Sequence, residues 1–259
     1  MKVALFTDDP SVHDPGAWQV QRVFSASEWS HIRRTGANFC PGGTERFRSR
    51  EAFLDHLARH ADHKLRLGQW LRGYLRPLGA RKVLGLCSGE CPVELGLKRA
   101  NPNLTIVATD FDPFIVETVA RYLPELDGVE LLDIKKDDFS RFQGAFDTAL
   151  MVEGFYTLAD PEARDLFGRL ARAGVRHFIN LCSAVILLKA ALQCKGKQAV
   201  AQALMALGLY RPQKRFHGWA RTPSEFSHLS RPYYQVAEVV DLRKEYSRTL
   251  IRFRNNNFT

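Results

Sequence analysis

Arg81 to Asp112 reads RKVLGLCSGECPVELGLKRANPNLTIVATDFD, and the fold turns on this stretch. A short apolar run (Val83, Leu84, Leu86) runs into Cys87-Ser88-Gly89, a turn cluster. Pro92 suits the first turn of a helix whose apolar members are Val93, Leu95, Leu97 and Ala100. Asn101-Pro102-Asn103 breaks that helix, and Thr105 to Thr109 reads as a β-branched strand ending on Asp110. Strand, turn, helix, strand and acid form the layout of a nucleotide-binding βαβ unit. The turn lets backbone N–H groups approach a ligand beside the positive end of the helix. An acid at the second strand's tip can accept from both hydroxyls of a ribose. The same pattern also fits an ordinary parallel-sheet turn in which Asp110 only caps the next helix.

Reading outward, Ser49 to Leu78 carries apolar residues at helical spacing (Phe53, Leu57, Leu65, Trp70, Leu71, Leu75), with Pro77 and Gly79 closing it. Downstream of Asp110 a helix from Pro113, a strand over 129–134, a strand over 146–153, a helix from Asp160 and a strand over 175–185 follow in turn. Strands separated by helices predict a parallel, doubly wound sheet. The end breaks that rhythm. Gln235–Leu242 and Arg248–Arg254 are two strands too close for a helix between them, so they predict an antiparallel β-hairpin. The expected architecture is α/β: a mostly parallel seven-stranded sheet ending in a hairpin, an N-terminal helical arm, and a helical insertion over 186–214 after the fifth strand. Residues 1–63 are expected to form a lid or cap, and 64–254 the main domain.

Composition adds bounds. At 259 residues, 45% hydrophobic and 25% charged, the chain is an ordinary globular one. No apolar run is long enough to span a membrane and no secretory leader is evident at the start, so a cytoplasmic location is expected. Five cysteines, an odd number, fit reduced thiols. Cys87 and Cys91 lack a second metal-ligand pair, and His56, His60 and His63 align on one helix face among charged neighbours. No metal site is expected from either group. A net charge of +9 favours anionic partners, but the bases are scattered and form no tract, which suits a solvated basic surface.

A parallel α/β sheet closed by a hairpin resembles the class I S-adenosylmethionine-dependent methyltransferases, over about residues 64–254. Val83 to Cys91 occupies the place of the family's first motif, an acid two residues before a G-x-G-x-G turn. Asp110 matches the ribose-binding acid, with Phe111 beside it. Asp138-Phe139 resembles the acid-plus-apolar element that reads the adenine ring, and Glu153-Gly154-Phe155 stands where cofactor-edge and substrate-facing groups fall. The resemblance implies S-adenosylmethionine as cofactor, with Gly85, Cys87, Ser88, Gly89, Asp110, Phe111, Asp138, Phe139 and Glu153 around it. The chain departs from the pattern in three places: Gly85 stands where the family has its acid, and Cys87 and Cys91 replace two glycines. Since cysteine resists positive φ, the turn is expected either to use mostly negative φ at those two sites or to bind the cofactor weakly or not at all, with Glu90 or Glu94 as candidate substitutes for the missing acid.

Methyl transfer needs an aligned nucleophile and, for oxygen acceptors, a base. Candidates are His217, Glu153 and Tyr156, with His228 a further histidine nearby; a structural histidine is an equally good reading of His217. The N-terminal arm and the insertion bear Trp18, Trp29, Lys189, Lys195, Arg211 and Arg215, which suits a small anionic or aromatic acceptor. An RNA methyltransferase is a rival that the charge supports, although no appended RNA-binding module is evident. A nicotinamide-dependent oxidoreductase is disfavoured, because Gly85, Gly89 and Gly96 are wrongly spaced for G-x-G-x-x-G. A catalytically silent binding subunit and a homodimer are left open.

Overall fold

The computed structural model describes residues 47–183, 185, 207 and 221–258. The N-terminal arm before Phe47, most of the 186–214 insertion and His217 lie outside the described residues.

The first helical region is two helices, not one. Helix α1 (Arg50–His60) starts where the Ser49 hydroxyl accepts from the Ala52 N–H at 3.2 Å. Ala61, at φ −130°, breaks the path before α2 (Asp62–Leu75). The break carries no Gly or Pro, so the sequence pattern did not signal it. A turn containing Pro77, capped by left-handed Gly79 at φ 67°, leads into strand β1 (Lys82–Leu86). Then follow α3 (Pro92–Ala100), β2 (Thr105–Asp110), α4 (Pro113–Tyr122), β3 (Gly128–Leu131), β4 (Thr148–Val152), α5 (Asp160–Arg172) and β5 (His177–Cys182). Helix α6 (Pro223–Ser230) is closed at its start by a reciprocal pair in which the Thr222 hydroxyl accepts from Glu225 N–H and the Glu225 carboxylate accepts from Thr222 N–H. Strand β6 (Tyr234–Leu242), the short α7 (Arg243–Tyr246) and β7 (Arg248–Asn255) complete the chain.

The sheet order is β3-β2-β1-β4-β5-β7-β6. Pairs from β3 through β5 are parallel, while β7 runs antiparallel to both β5 and β6. The expected doubly wound sheet and closing hairpin are therefore present. The chain order reverses at β1, so the carboxyl ends of β1, β2 and β4 flank the switch point where ligands bind in open α/β sheets.

Alternation along the strands feeds two cores. One face sends Val83, Ile106, Ala108, Ile179 and Leu181 against α1 to α4. The other sends Leu84, Met151, Phe178 and Phe253 against α5 and α6, where Phe155, Phe167, Phe226 and Phe253 pack with ring centroids 4.9 to 5.9 Å apart. Helices α2 and α3 cross backbone to backbone. A Cβ on Gly68 would stand 2.1 Å from the Val93 carbonyl oxygen, and one on Gly96 would stand 2.1 Å from that of Leu65. This crossing fixes the start of α3, and with it the turn after β1.

No helix among the described residues is long and apolar enough to cross a membrane.

Candidate cofactor site

The turn between β1 and α3 keeps the backbone of a glycine-rich loop with cysteine in place of two of its glycines. Cys87, Gly89 and Cys91 all have positive φ, at 54°, 54° and 58°. This corrects the expectation of negative φ at the cysteines. Each left-handed cysteine costs about 1 kcal/mol or more. The conformation persists because its surroundings fix it. Ser88 N–H donates to the Thr109 carbonyl at 2.9 Å, Cys91 N–H donates to Ser88 O at 3.0 Å, and Pro92 opens α3 directly behind. The neighbouring strand contributes as well: a Cβ on Gly154 would lie 3.0 Å from the Cys87 Cβ, so the ends of β1 and β4 are in contact.

Three carboxylates are buried around this turn. Asp110 is 2% exposed; it accepts from Gly89 N–H at 2.9 Å and from Asp112 N–H at 3.1 Å. Asp112 is fully buried and caps α4 by accepting from Phe114 N–H through Oδ1, while its Oδ2 has no hydrogen-bond partner among the described residues. Glu94, in the first turn of α3, is 3% exposed, and burial pushes its pKa above the ordinary carboxylate range. Sequence reading found Asp110 but gave Asp112 no role. Phe111, between the two acids, is partly buried. Outside this group, Glu90 on the turn pairs with His56 of α1 at 3.2 Å, which ties the expected cap helix to the loop.

The end of β4 is a second strained point. Glu153 has φ 58°, and its carboxylate accepts from the Ser183 N–H at 3.1 Å and hydroxyl at 2.8 Å. Arg248 at the start of β7 places Nε 2.8 Å from Glu153 Oε1, an ion pair in which the two side chains are 6% and 9% exposed. Glu153 thus joins β4, β5 and β7. Tyr156, in the turn that follows, is 5% exposed. Three of the four left-handed non-glycine residues among those described (Cys87, Cys91, Glu153) lie along this one edge; the fourth, Ser247, precedes β7.

The structure does not gather every expected residue there. Asp138 is exposed; its carboxylate accepts from Ser140 N–H at 3.1 Å, and the Ser140 side chain together with that N–H holds its pKa below the usual value. Phe139 is 1% exposed in the core, beneath the Arg169 guanidinium at 5.3 Å. Leu132 N–H donates to the Asp110 carbonyl, which brings Asp133 and Ile134 to the carboxyl end of β3 beside Asp110. The register of β3 on β2 would have singled them out; an acid-plus-aromatic motif did not. His228 sits on α6, 3.0 Å from an Arg164 nitrogen at the surface.

Arg221 is a buried cation that sequence reading passed over as a site. It is fully buried over the Phe155 ring, 5.5 Å from its centroid, with Nη2 donating to Leu158 O at 2.6 Å and Asp160 Oδ1 at 3.0 Å. Burial pushes its pKa down to about 10, so it stays charged at neutral pH. Nη1 has no partner among the described residues. No cluster of His, Cys, Asp and Glu able to hold a metal occurs among the described residues.

No family model and no curated protein matches the sequence. Solved structures match the fold. A candidate O-methyltransferase from Nostoc punctiforme PCC 73102 superposes with a TM-score of 0.57 at 13% identity, covering 77% of this chain and 59% of its own. An O-methyltransferase family protein from Burkholderia thailandensis gives 0.53 at 16%, covering 79% and 59%. The magnesium protoporphyrin IX methyltransferase of Synechocystis PCC 6803, solved with bound SAH, gives 0.52 at 12%, covering 74% and 83%. The chain spans about three fifths of the first two proteins. The sheet order, the strained edge and these likenesses agree on the fold: it is that of the class I S-adenosylmethionine-dependent methyltransferases.

Proposed function

We propose that this chain binds S-adenosylmethionine across the carboxyl ends of β1, β2 and β4 and directs methyl transfer to a small-molecule acceptor at oxygen or nitrogen. The observation that carries this reading is the Cys87–Cys91 turn. It holds positive φ at three alternate positions, two of them cysteine, and the buried Asp110 carboxylate is set directly against Gly89 N–H. Strain of this kind persists where the surroundings over-determine it, most often at a ligand site.

The residues fit the cofactor's chemistry. A cation with ribose hydroxyls needs carboxylate acceptors, and Asp110, Asp112 and Glu94 supply them, with one Asp112 oxygen unpartnered among the described residues. Each Asp110 oxygen accepts a backbone N–H, Oδ2 from Gly89 and Oδ1 from Asp112, so the carboxylate is held at the tip of β2. The Gly89 turn provides a backbone approach, and Asp133-Ile134 an acid and an apolar surface at the end of β3. When bound, the cofactor supplies an electrophilic methyl group. This chain's part is to orient the acceptor in line with it and to exclude water. We assign Glu153 a positioning role, since its carboxylate is engaged by Ser183 and Arg248. Arg221 supports an acceptor that carries an anionic group, in keeping with the basic composition.

Calorimetry tests the reading. The wild-type chain is expected to bind S-adenosylmethionine and S-adenosylhomocysteine. Asp110→Ala is expected to weaken both roughly ten- to hundredfold, the loss of hydrogen bonds to a charged acceptor. A folded wild-type protein that binds neither compound would sink the proposal.

A further inference from the structure

Helix α3 reaches into a space that strand β1 leaves empty. A Cβ on Gly85 would meet Ser88 Oγ at 2.6 Å and Glu94 Oε1 at 2.8 Å. The Glu94 carboxylate therefore occupies the room that a side chain at position 85 would fill. Only glycine at 85 admits it without displacing one of these oxygens.

The carboxylate is held there at a cost. It is all but fully buried, and burial is the first cause of its raised pKa, with the nearby Asp110 charge adding to it. Opposing this are the Ser88 hydroxyl, the helix-start N–H of Glu94 itself and the charge of Lys64 on α2. No arginine or lysine makes an ion pair with Glu94 among the described residues. A buried acid that makes no ion pair costs the fold stability, and the more distant Lys64 charge offsets only part of that cost. Its neighbours are the strained turn and Asp110, where a cation bound on that turn would balance its charge.

We infer that Glu94, projecting from α3 into the space above Gly85, supplies the negative charge that holds the ammonium group of the bound S-adenosyl compound. The inference rests on the cofactor reading above. It adds that the charge comes from the helix rather than from the strand, and that Gly85 and Glu94 act as a pair.

Three ligands separate the outcomes. S-adenosylhomocysteine carries the ammonium group, S-adenosylmethionine carries it with a sulfonium, and 5′-methylthioadenosine has the nucleoside and sulfur but no amino acid. Glu94→Gln is expected to weaken the first two at least tenfold and to leave 5′-methylthioadenosine unchanged, whereas Asp110→Ala weakens all three. Without ligand, Glu94→Gln is expected to melt higher than wild type, by about 2 °C or more. The sign follows from linkage. A buried acid with a raised pKa contributes stability below its unfolded value and loses it as pH rises through its folded value. The variant's advantage should therefore grow as pH rises out of the ordinary carboxylate range.

A second variant, Gly85→Asp with Glu94→Ala, returns the charge to β1 and is expected to recover S-adenosylhomocysteine binding to within a few fold of wild type. It decides the matter if Glu94→Gln does not fold; a folded swap variant that fails to bind overturns the inference. So does wild-type-like binding by Glu94→Gln, or an equal loss of all three ligands. If the wild-type chain binds none of the three, the cofactor reading itself fails.

Discussion

Gly96→Ala is expected to destabilise the chain by about 3 kcal/mol, the upper end of the cost of forcing an extra methyl into a packed interior. The added Cβ would sit 2.1 Å from Leu65 O and 2.9 Å from Leu65 C. Both are backbone atoms of α2, so no rotamer change relieves the contact and the helices must part. Alanine is a better helix former than glycine by about 1 kcal/mol, so the isolated helix would gain. A net loss therefore reports the crossing itself. Gly73→Ala is the control, on the same α2 but exposed, with nothing within 4 Å of the new methyl. It is expected to stabilise by up to about 1 kcal/mol. Urea denaturation of the two variants gives the comparison. Because α3 carries the Cys91 turn at one end and Glu94 in its first turn, Gly96→Ala should also weaken any ligand bound there. Equal, near-neutral effects at 73 and 96 would mean that the close approach is not a constraint.

The same crossing shows what the sequence could reveal. Gly96 lies within a helical pattern and Gly68 within another, 28 positions apart, and each alone reads as a mild helix weakener. Only the fold brings them together. The elements themselves were legible because their punctuation is local: Pro92 and Pro113 at helix starts, Thr222 with Glu225, and too few residues between Leu242 and Arg248 for a crossover; the cap before Pro113 is Asp112, not Asp110. Asp110 was legible because it ends a β-branched run. The turn's backbone was not. Side-chain preference argued for negative φ at Cys87 and Cys91, but tertiary contact with Gly154 and with Thr109 O overrode it. Asp138-Phe139 matched a motif in type, whereas strand register placed Asp133-Ile134 at the end of β3. Glu153 had the right position at the end of β4; its partners Ser183 and Arg248 lie 30 and 95 residues away, so the sequence could not show that its carboxylate is engaged.

That engagement supplies the other large effect. Arg248→Met is expected to cost about 3–5 kcal/mol, because it leaves a buried carboxylate without its cation. Both members are shielded from solvent, at 6% and 9% exposure, so screening does little to soften the loss. Ser183 would still donate to Glu153, which is why the expectation is a large destabilisation rather than a failure to fold. Glu153→Gln combined with Arg248→Met removes both charges and retains an acceptor for Ser183. It should recover at least half of the loss, since replacing a buried pair is far less costly than breaking one. Guanidinium denaturation midpoints of the wild type, both single variants and the double variant form the cycle. Additive effects would show that the pair contributes no coupling. The pair also bears on the site. Glu153 is held at φ 58°, one residue before the Gly154 that packs on Cys87, so the ion pair fixes the strained corner where β4 meets the turn. If the pair is what maintains that corner, Arg248→Met should weaken S-adenosylhomocysteine binding even at temperatures where the variant remains folded, and the double variant should restore only part of it, because a neutral pair grips the left-handed backbone less firmly than the ion pair does.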